Sequence, residues 1–292
     1  MPSSSRDRDA IIANMFPAAH GAIEDWDKFK WHGAAQSPRS SQMLAIDVFG
    51  TLKVCSQASR DAVLAEIARR SGIRPDGPWE IELEWQDGRN RLREYTPTQV
   101  DAVAISPHAM LLFECKFTEA GGGCSQTRKD SIGRIACNGS YTAQENPQNG
   151  LINRCSLSGK GIDYWNWAHE IFGVEIENDH APCPFAFDAF QWMRNSALAS
   201  AIREQDGKQT RVLAVYADAP HLKTAHKVQT GRLGLAPLHP QDEILPISYH
   251  NLIRLAAAAD PSTLWDELLA WIEAKIEAKI EATKPAGRTA RK

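Results

Sequence analysis

Three side chains in one short stretch of the sequence could together perform hydrolytic chemistry: Asp101, Glu114 and Lys116. Two carboxylates can bind Mg²⁺, which prefers oxygen ligands and keeps several of its waters. A metal held there polarises a phosphodiester and lowers the pKa of its bound water. A lysine beside it can position or deprotonate that water, or neutralise charge that develops on phosphorus. These residue types therefore indicate metal-dependent hydrolysis of a phosphodiester.

A β-hairpin is the element that would bring these side chains together. Residues 110–117 predict a strand, in which alternate side chains share a face, so Glu114 and Lys116 project together. Residues 100–105 predict a second strand, and a Ser-Pro-His turn joins the two. We expect the hairpin to place Asp101 beside Glu114.

The apolar run before Glu114 favours a functional interpretation of these charges. Its letters, Met-Leu-Leu-Phe, predict a buried central strand, and a buried strand that ends in charged side chains needs a reason for them. The alternative is an ordinary hairpin in which Glu114 and Lys116 form an exposed ion pair. The spacing by itself is loose and does not decide between the two.

The hairpin resembles the catalytic motif of the PD-(D/E)xK nuclease superfamily, and the resemblance covers residues 58–217. It implies an α/β restriction-endonuclease-like core, a mixed sheet flanked by helices, with a cysteine-containing insert. It also implies that Asp101 and Glu114 bind Mg²⁺ or Mn²⁺, that Lys116 is the catalytic lysine, and that the substrate is nucleic acid, DNA before RNA. A role in defence or in DNA processing follows from the superfamily alone. Val100 stands where the motif has a proline that many members lack.

Many members of this superfamily carry a further glutamate on the preceding strand. The segment Trp-Glu-Ile-Glu-Leu-Glu-Trp alternates apolar side chains with glutamates, which predicts a half-buried strand. Glu82 and Glu84 would share one face of that strand. The resemblance therefore implies that either glutamate could reach the metal.

A helix predicted at residues 187–203 carries polar side chains at helical spacing. Gln191, Arg194 and Asn195 are three or four residues apart and share one face. In the resembled superfamily, the helix after the catalytic strand often brings polar residues to the site, so these three are candidates for nucleic-acid contacts, with Arg194 on a phosphate. A solvated polar stripe is the equal alternative.

Four cysteines lie between the catalytic strand and this helix: Cys124, Cys137, Cys155 and Cys183. No Cys-x-x-Cys pair is present, so the spacing is not that of a standard zinc knuckle or ribbon. The segment has few apolar runs, and a loop-rich stretch of this length usually needs a cross-link such as a disulfide or a bound metal to stabilise it. A structural Zn²⁺ site is one interpretation, and four unrelated buried cysteines is the other. The resembled superfamily also includes members with an iron–sulfur cluster, but here all four cysteines lie in one insert, which favours zinc.

Length and composition set the remaining limits. The 292 residues are 43% hydrophobic and 24% charged, which is typical of a globular protein, and the formal net charge is −3. The chain is therefore not a globally basic nucleic-acid binder, although a local basic groove would suffice. We expect no transmembrane helix, no secretory signal and a cytoplasmic location with reduced thiols. The oligomeric state is open.

The chain divides into six predicted segments. They are an N-terminal peripheral segment (1–57), the first half of the nuclease core (58–117), the cysteine insert (118–186), the second half of the core (187–217), a C-terminal helical extension (218–280) and a basic tail predicted to be disordered (281–292). Helices are predicted at 59–70 and 264–280, and a buried strand at 211–217.

Two other functions compete with the nuclease interpretation. Residues 44–52, LAIDVFGTL, resemble the first motif of haloacid-dehalogenase-like hydrolases, in which Asp47 would follow a strand and act as a nucleophile. A catalytically inactive binding module for nucleic acid or protein is the second alternative. The intact set of Asp101, Glu114 and Lys116 argues against it, because a degenerate member usually loses one of them.

Overall fold

The predicted hairpin lies inside a five-stranded mixed sheet whose strands follow the order β1-β2-β3-β4-β5. The computed structural model describes residues 5–38, 40–119, 121–137, 139, 155–173, 183–219, 221–230, 233 and 244–283. Strands β1, β2 and β3 are antiparallel, whereas β4 and β5 run parallel to β3. Their bounds are Glu80–Gln86 (β1), Gln99–Ile105 (β2), Ala109–Lys116 (β3), Gln209–Tyr216 (β4) and Ile244–Ser248 (β5).

Strands β2 and β3 form the expected hairpin. Ala102 pairs with Phe113 and Ile105 with Met110, so the same register sets Asp101 opposite Glu114. The turn closes on a backbone hydrogen bond of 2.9 Å and is braced by a serine side chain. Every residue of β3 is buried, which confirms the prediction of a central strand.

Helices cover both faces of this sheet. The α-helices are Ser5–Ala13 (α1), Ser41–Ala45 (α2), Thr51–Val54 (α3), Gln57–Arg70 (α4), Tyr164–Phe172 (α5), Phe190–Asp206 (α6), Lys223–Gln229 (α7), Tyr249–Ala259 (α8) and Leu264–Thr283 (α9). A π-helical turn, Ile46–Gly50, joins α2 to α3. Helices α4, α6 and α9 confirm the helices predicted from apolar periodicity. None of the helices in the described residues combines the length and apolar character of a membrane span.

Two hydrophobic cores lie on opposite sides of the sheet, and β3 contributes to both. Its odd-numbered residues, such as Phe113, pack with the α2–α3 segment and with α8 and α9. The rings of Phe49 and Phe113 are 4.4 Å apart. Its even-numbered residues, such as Leu112, pack against α6. A strand covered on both faces needs apolar residues at successive positions, which explains the Met-Leu-Leu-Phe run. The mixed sheet between helical layers is the α/β restriction-endonuclease-like fold that was predicted.

Parts of the chain predicted to lie outside the core contribute to it. Within the segment predicted as peripheral, Leu44 and Phe49 are completely buried. Within the predicted helical extension, β5 adds a fifth strand beside β4. Pro246 makes that strand difficult to predict from the sequence. Proline cannot donate a backbone hydrogen bond to a β-ladder, and within sheets it is confined to positions such as edge strands. From residue 284 onward, the predicted basic tail lies outside the described residues.

Candidate active site

Asp101, Glu114 and Lys116 meet at one end of the β2–β3 hairpin. The Lys116 Nζ lies 2.5 Å from the Glu114 Oε1. The backbone N–H of Cys115 donates to the Asp101 Oδ2 at 2.6 Å, a bond across the hairpin that fixes the aspartate beside the glutamate. Lys116 and Glu114 are buried, at 3% and 2% exposure. The structure therefore brings the three predicted side chains together and excludes the interpretation as an exposed surface pair.

Helix α6 supplies a fourth member of this cluster. The Asn195 amide donates to the Glu114 Oε2 at 2.6 Å, so the two carboxylate oxygens are held by different side chains. Asn195 is completely buried. The structure places this side chain on Glu114 and away from solvent, and its contact with nucleic acid stays a prediction. Its Oδ1 has no hydrogen-bond partner within the part of the chain that the structure describes.

The other two polar residues of α6 remain nearer to solvent. Arg194 is half-buried and its Nη2 lies 3.4 Å from the carbonyl oxygen of Gln99. It is close enough to lower the pKa of Glu114 by its charge. Gln191 is also half-buried and lies against Gly122, where an added Cβ would come within 2.7 Å of its Oε1. Arg194 is thus the cation of α6 that the structure places beside the carboxylate cluster.

The two glutamates of β1 have different surroundings. Glu82 is exposed and pairs with Val103 of β2. Glu84 is buried, has a left-handed φ of 51°, and accepts hydrogen bonds from the side chains of Gln42 (2.7 Å) and Gln99. That backbone conformation is uncommon outside glycine and breaks the alternation of the strand. The structure therefore separates two residues that the sequence treated as equivalent, and it brings Glu84 to the cluster.

Burial and mutual charge give the two central carboxyls opposite pKa shifts. Burial raises the pKa of Asp101 well above its usual range, and the charges of Glu114 and Glu84 raise it further. Burial would also raise the pKa of Glu114, but Lys116, Arg194 and the Asn195 hydrogen bond together hold it below the ordinary value. Despite burial, Glu114 and Asp101 raise the pKa of Lys116. The cluster thus pairs an ionised glutamate and lysine with an aspartate that keeps its proton to higher pH.

The donor set of this cluster fits Mg²⁺ or Mn²⁺. Among the described residues, no three His, Cys, Asp or Glu side chains are grouped as a complete metal site. Mg²⁺ does not require one, because it commonly takes one or two carboxylates and completes its shell with waters and substrate phosphates. Asp101 and Glu114 offer one half-buried and one buried carboxylate, and a cation would relieve the repulsion that raises the pKa of Asp101.

Sequence reasoning missed several neighbours of the site. The Lys116 Nζ lies 5.8 Å from the ring centroid of Trp192, a fully buried residue of α6. Trp192 is three residues before Asn195, so helical spacing could have flagged it. Gln42 and Gln99, which bind Glu84, carry no such signal because their contacts depend on how the chain folds.

Asp47 belongs to a structural cluster elsewhere. It lies in the π-helical turn and is completely buried. Its carboxylate accepts from the Phe16 N–H (2.7 Å), the Trp271 Nε1 (3.0 Å) and the Lys275 Nζ (2.5 Å). The haloacid-dehalogenase-like interpretation needs this aspartate at the end of a strand. It is wrong for this chain, because residues 41–54 form helix and the carboxylate is saturated with donors.

The four cysteines of the insert come together around one small cavity. Cys124, Cys137, Cys155 and Cys183 all line it. Burial, with a contribution from the three neighbouring thiols, raises the pKa of Cys124 to about 12. Cys115, by contrast, is buried in the core between Glu114 and Lys116, as the alternation of β3 predicts.

Comparison with known proteins identifies the family. Neither the curated proteins nor the solved structures gave a match. A family model described as Restriction Endonuclease associating with ARP matches residues 8–268, which include every strand of the sheet and the whole Asp101–Lys116 hairpin. The description indicates a nuclease, in agreement with the fold and with the superfamily that the catalytic hairpin resembles. The chain belongs to the family of restriction endonucleases associating with ARP.

Proposed function

We propose that this protein is a Mg²⁺-dependent nuclease that hydrolyses phosphodiester bonds in DNA. The observation that carries the proposal is the buried contact of Lys116 with Glu114 beside Asp101. Buried charges are costly unless they are paired, and groups with perturbed pKa values cluster at functional sites. The family description supports nuclease activity. The metal and the choice of DNA are the further steps of the proposal.

Asp101 and Glu114 would hold the cation. When bound, Mg²⁺ would neutralise charge on the phosphodiester and lower the pKa of a water in its shell. Glu114 is oriented from both sides, by Lys116 on one oxygen and by Asn195 on the other. This leaves little rotational freedom in the carboxylate, so the binding geometry is set before substrate arrives.

Lys116 would act on the attacking water and the reacting phosphate. Glu114 and Asp101 raise the pKa of Lys116, which favours charge stabilisation and orientation of the water over proton abstraction. Hydrolysis forms one P–O bond to the water oxygen and breaks the P–O bond to the leaving group, which takes up a proton. Arg194 lies on the same side of the sheet, where it could contact a flanking phosphate.

The test is cleavage of supercoiled plasmid DNA by the purified chain with Mg²⁺ or Mn²⁺ and with EDTA. We expect nicking that EDTA abolishes and that falls at least about a hundredfold in Lys116→Ala and in Asp101→Ala. Lys28→Ala is the matched control, since this lysine also pairs with an aspartate but its side chain is 86% exposed. It should cleave like the wild type.

Parallel reactions on labelled single-stranded RNA and duplex RNA separate the two nucleic acids. Cleavage of RNA with none of DNA would retain the site and refute the DNA assignment. A folded protein that cleaves neither nucleic acid with any of these metals would refute the nuclease proposal and favour the binding module. Equal activity of wild type and Lys116→Ala would refute the role of the lysine.

A further inference from the structure

The cavity of the four cysteines has the composition of a metal site. Its lining includes Cys124, Cys137, Cys155 and Cys183, and the gaps between successive cysteines are 12, 17 and 27 residues of sequence. The space that a water-sized particle can reach in it is about 20 Å³, which is about what one such particle occupies. Four sulfur ligands and room for one particle match a mononuclear site better than a multi-iron cluster.

Backbone hydrogen bonds already hold the cysteine-bearing segments together. The N–H of Cys124 donates to Ala186 O (2.9 Å), and the N–H of Cys183 donates to Gly139 O (2.7 Å). The Gly139 N–H points at the Cys137 sulfur at 3.4 Å. An N–H directed at sulfur stabilises a thiolate more than a thiol, because the ionised acceptor makes the stronger hydrogen bond. These hydrogen bonds therefore link the segments that carry Cys124, Cys137 and Cys183.

We propose that Cys124, Cys137, Cys155 and Cys183 bind one Zn²⁺ through four thiolates. Binding would release the protons of these thiols to solvent and involves no change of oxidation state. Among the described residues, the side chains are not grouped as a finished metal site. The sulfurs would therefore draw in to about 2.3 Å from the ion, the usual Zn–S distance. Tetrahedral coordination by four cysteines is typical of structural zinc.

The position of the site indicates that a bound ion would stabilise the structure. Three glycines, residues 121–123, precede Cys124 and contact the beginning of α6. The Phe190 N–H donates to the Gly122 carbonyl at 3.0 Å, and the Gln191 N–H donates to the Gly121 carbonyl at 2.9 Å. Helix α6 then delivers Asn195 to Glu114. A zinc ion at the four cysteines would thus fasten the insert beside the start of the helix that orients the catalytic glutamate.

The first experiment measures metals in the purified wild-type chain by mass spectrometry, after expression with zinc and iron both supplied and purification without oxygen. We expect one Zn²⁺ per chain. Replacement by Co²⁺ should give sulfur-to-cobalt charge-transfer bands and the intense visible bands of tetrahedral cobalt. These readouts need no variant and no nuclease activity, so they stand apart from the proposed function.

Variants locate the ion. Cys124→Ser and Cys155→Ser should lose the zinc and the cobalt spectrum, whereas Cys55→Ser, a thiol of the other core, should keep both. Wild-type protein that holds no zinc and gives no cobalt–thiolate bands would overturn the proposal. So would iron with inorganic sulfide in place of zinc, or zinc retained in full by both insert variants. If these variants do not fold, the wild-type cobalt spectrum still decides.

Discussion

Removal of the Asp47 carboxylate should destabilise the fold without touching the chemistry. Asp47 is completely buried and forms an ion pair with Lys275, whose side chain is 10% exposed. The pair joins the π-helical turn to α9, across 228 residues of sequence. Burial raises the pKa of Asp47 and lowers the pKa of Lys275, and each partner's charge offsets part of the other's shift. Asp47→Ala would leave a buried ammonium with much of its compensation gone.

The expected cost follows from what is left unpaired. Breaking a buried pair by removing one partner costs about 3–5 kcal/mol. The lost hydrogen bonds from Phe16 and Trp271 belong to the same carboxylate and are included in that figure. In a domain of this general size, the melting temperature should fall on the order of 10 °C. Lys275→Met in the same background removes the orphaned charge, so the double variant should recover about 1–3 kcal/mol relative to additivity.

Urea denaturation followed by far-ultraviolet circular dichroism gives the free energies for a double-mutant cycle. Glu277→Ala, which removes an exposed carboxylate of the same helix, should change stability by less than about 0.5 kcal/mol. The folded fraction of Asp47→Ala should retain the nuclease activity of the wild type. A loss of activity without a loss of stability would refute this reasoning, and so would additivity of the two substitutions.

Three further predictions concern the cluster itself. Glu84→Gln should lower cleavage about tenfold or more, while its exposed neighbour variant Glu82→Gln should match the wild type; equal effects would contradict the assignment of Glu84. Asn195→Ala removes a donor to Glu114, so the pKa of that carboxyl should rise, as measured by nuclear magnetic resonance titration of carbon-13-labelled glutamate carboxyls; an unchanged pKa would contradict the role of this hydrogen bond. Because burial raises the pKa of Asp101 and metal binding needs its ionised form, Mg²⁺ affinity measured by calorimetry should rise about tenfold per pH unit until the carboxyl is ionised; affinity independent of pH would contradict the shift.

The β2–β3 hairpin could be predicted from the sequence because its signals are local. Alternation along β3 sets Glu114 and Lys116 on one face, and a short turn fixes the register that brings Asp101 opposite Glu114. Helix α6 could be predicted for the same reason, since its apolar positions recur at helical spacing. The sequence features that determine the hairpin and helix α6 therefore lie within a few residues of each position.

The parts that escaped prediction depend on contacts between distant segments. The alternation of apolar and polar residues in β1 gave no reason to distinguish Glu84 from Glu82. What distinguishes Glu84 is its left-handed backbone conformation and its hydrogen bonds with Gln42 and Gln99, which come from other parts of the chain. Asn195 looked like a surface residue because helical spacing shows which residues share a face and not what covers that face. The four cysteines lacked a recognised spacing, since their meeting point is set by the path of the insert.

The contact of Lys116 with Glu114 also constrains how a metal could enter the site. In this structure the Lys116 ammonium contacts one oxygen of Glu114 and the Asn195 amide contacts the other. A divalent cation would share the Glu114 carboxylate with these two groups, and Asp101 must give up the proton that its surroundings favour. Binding of the metal is therefore more favourable when a phosphate binds with it, because the phosphate supplies a new partner for Lys116. We therefore expect Mg²⁺ to bind more tightly in the presence of DNA than alone, and by linkage DNA to bind more tightly with Mg²⁺.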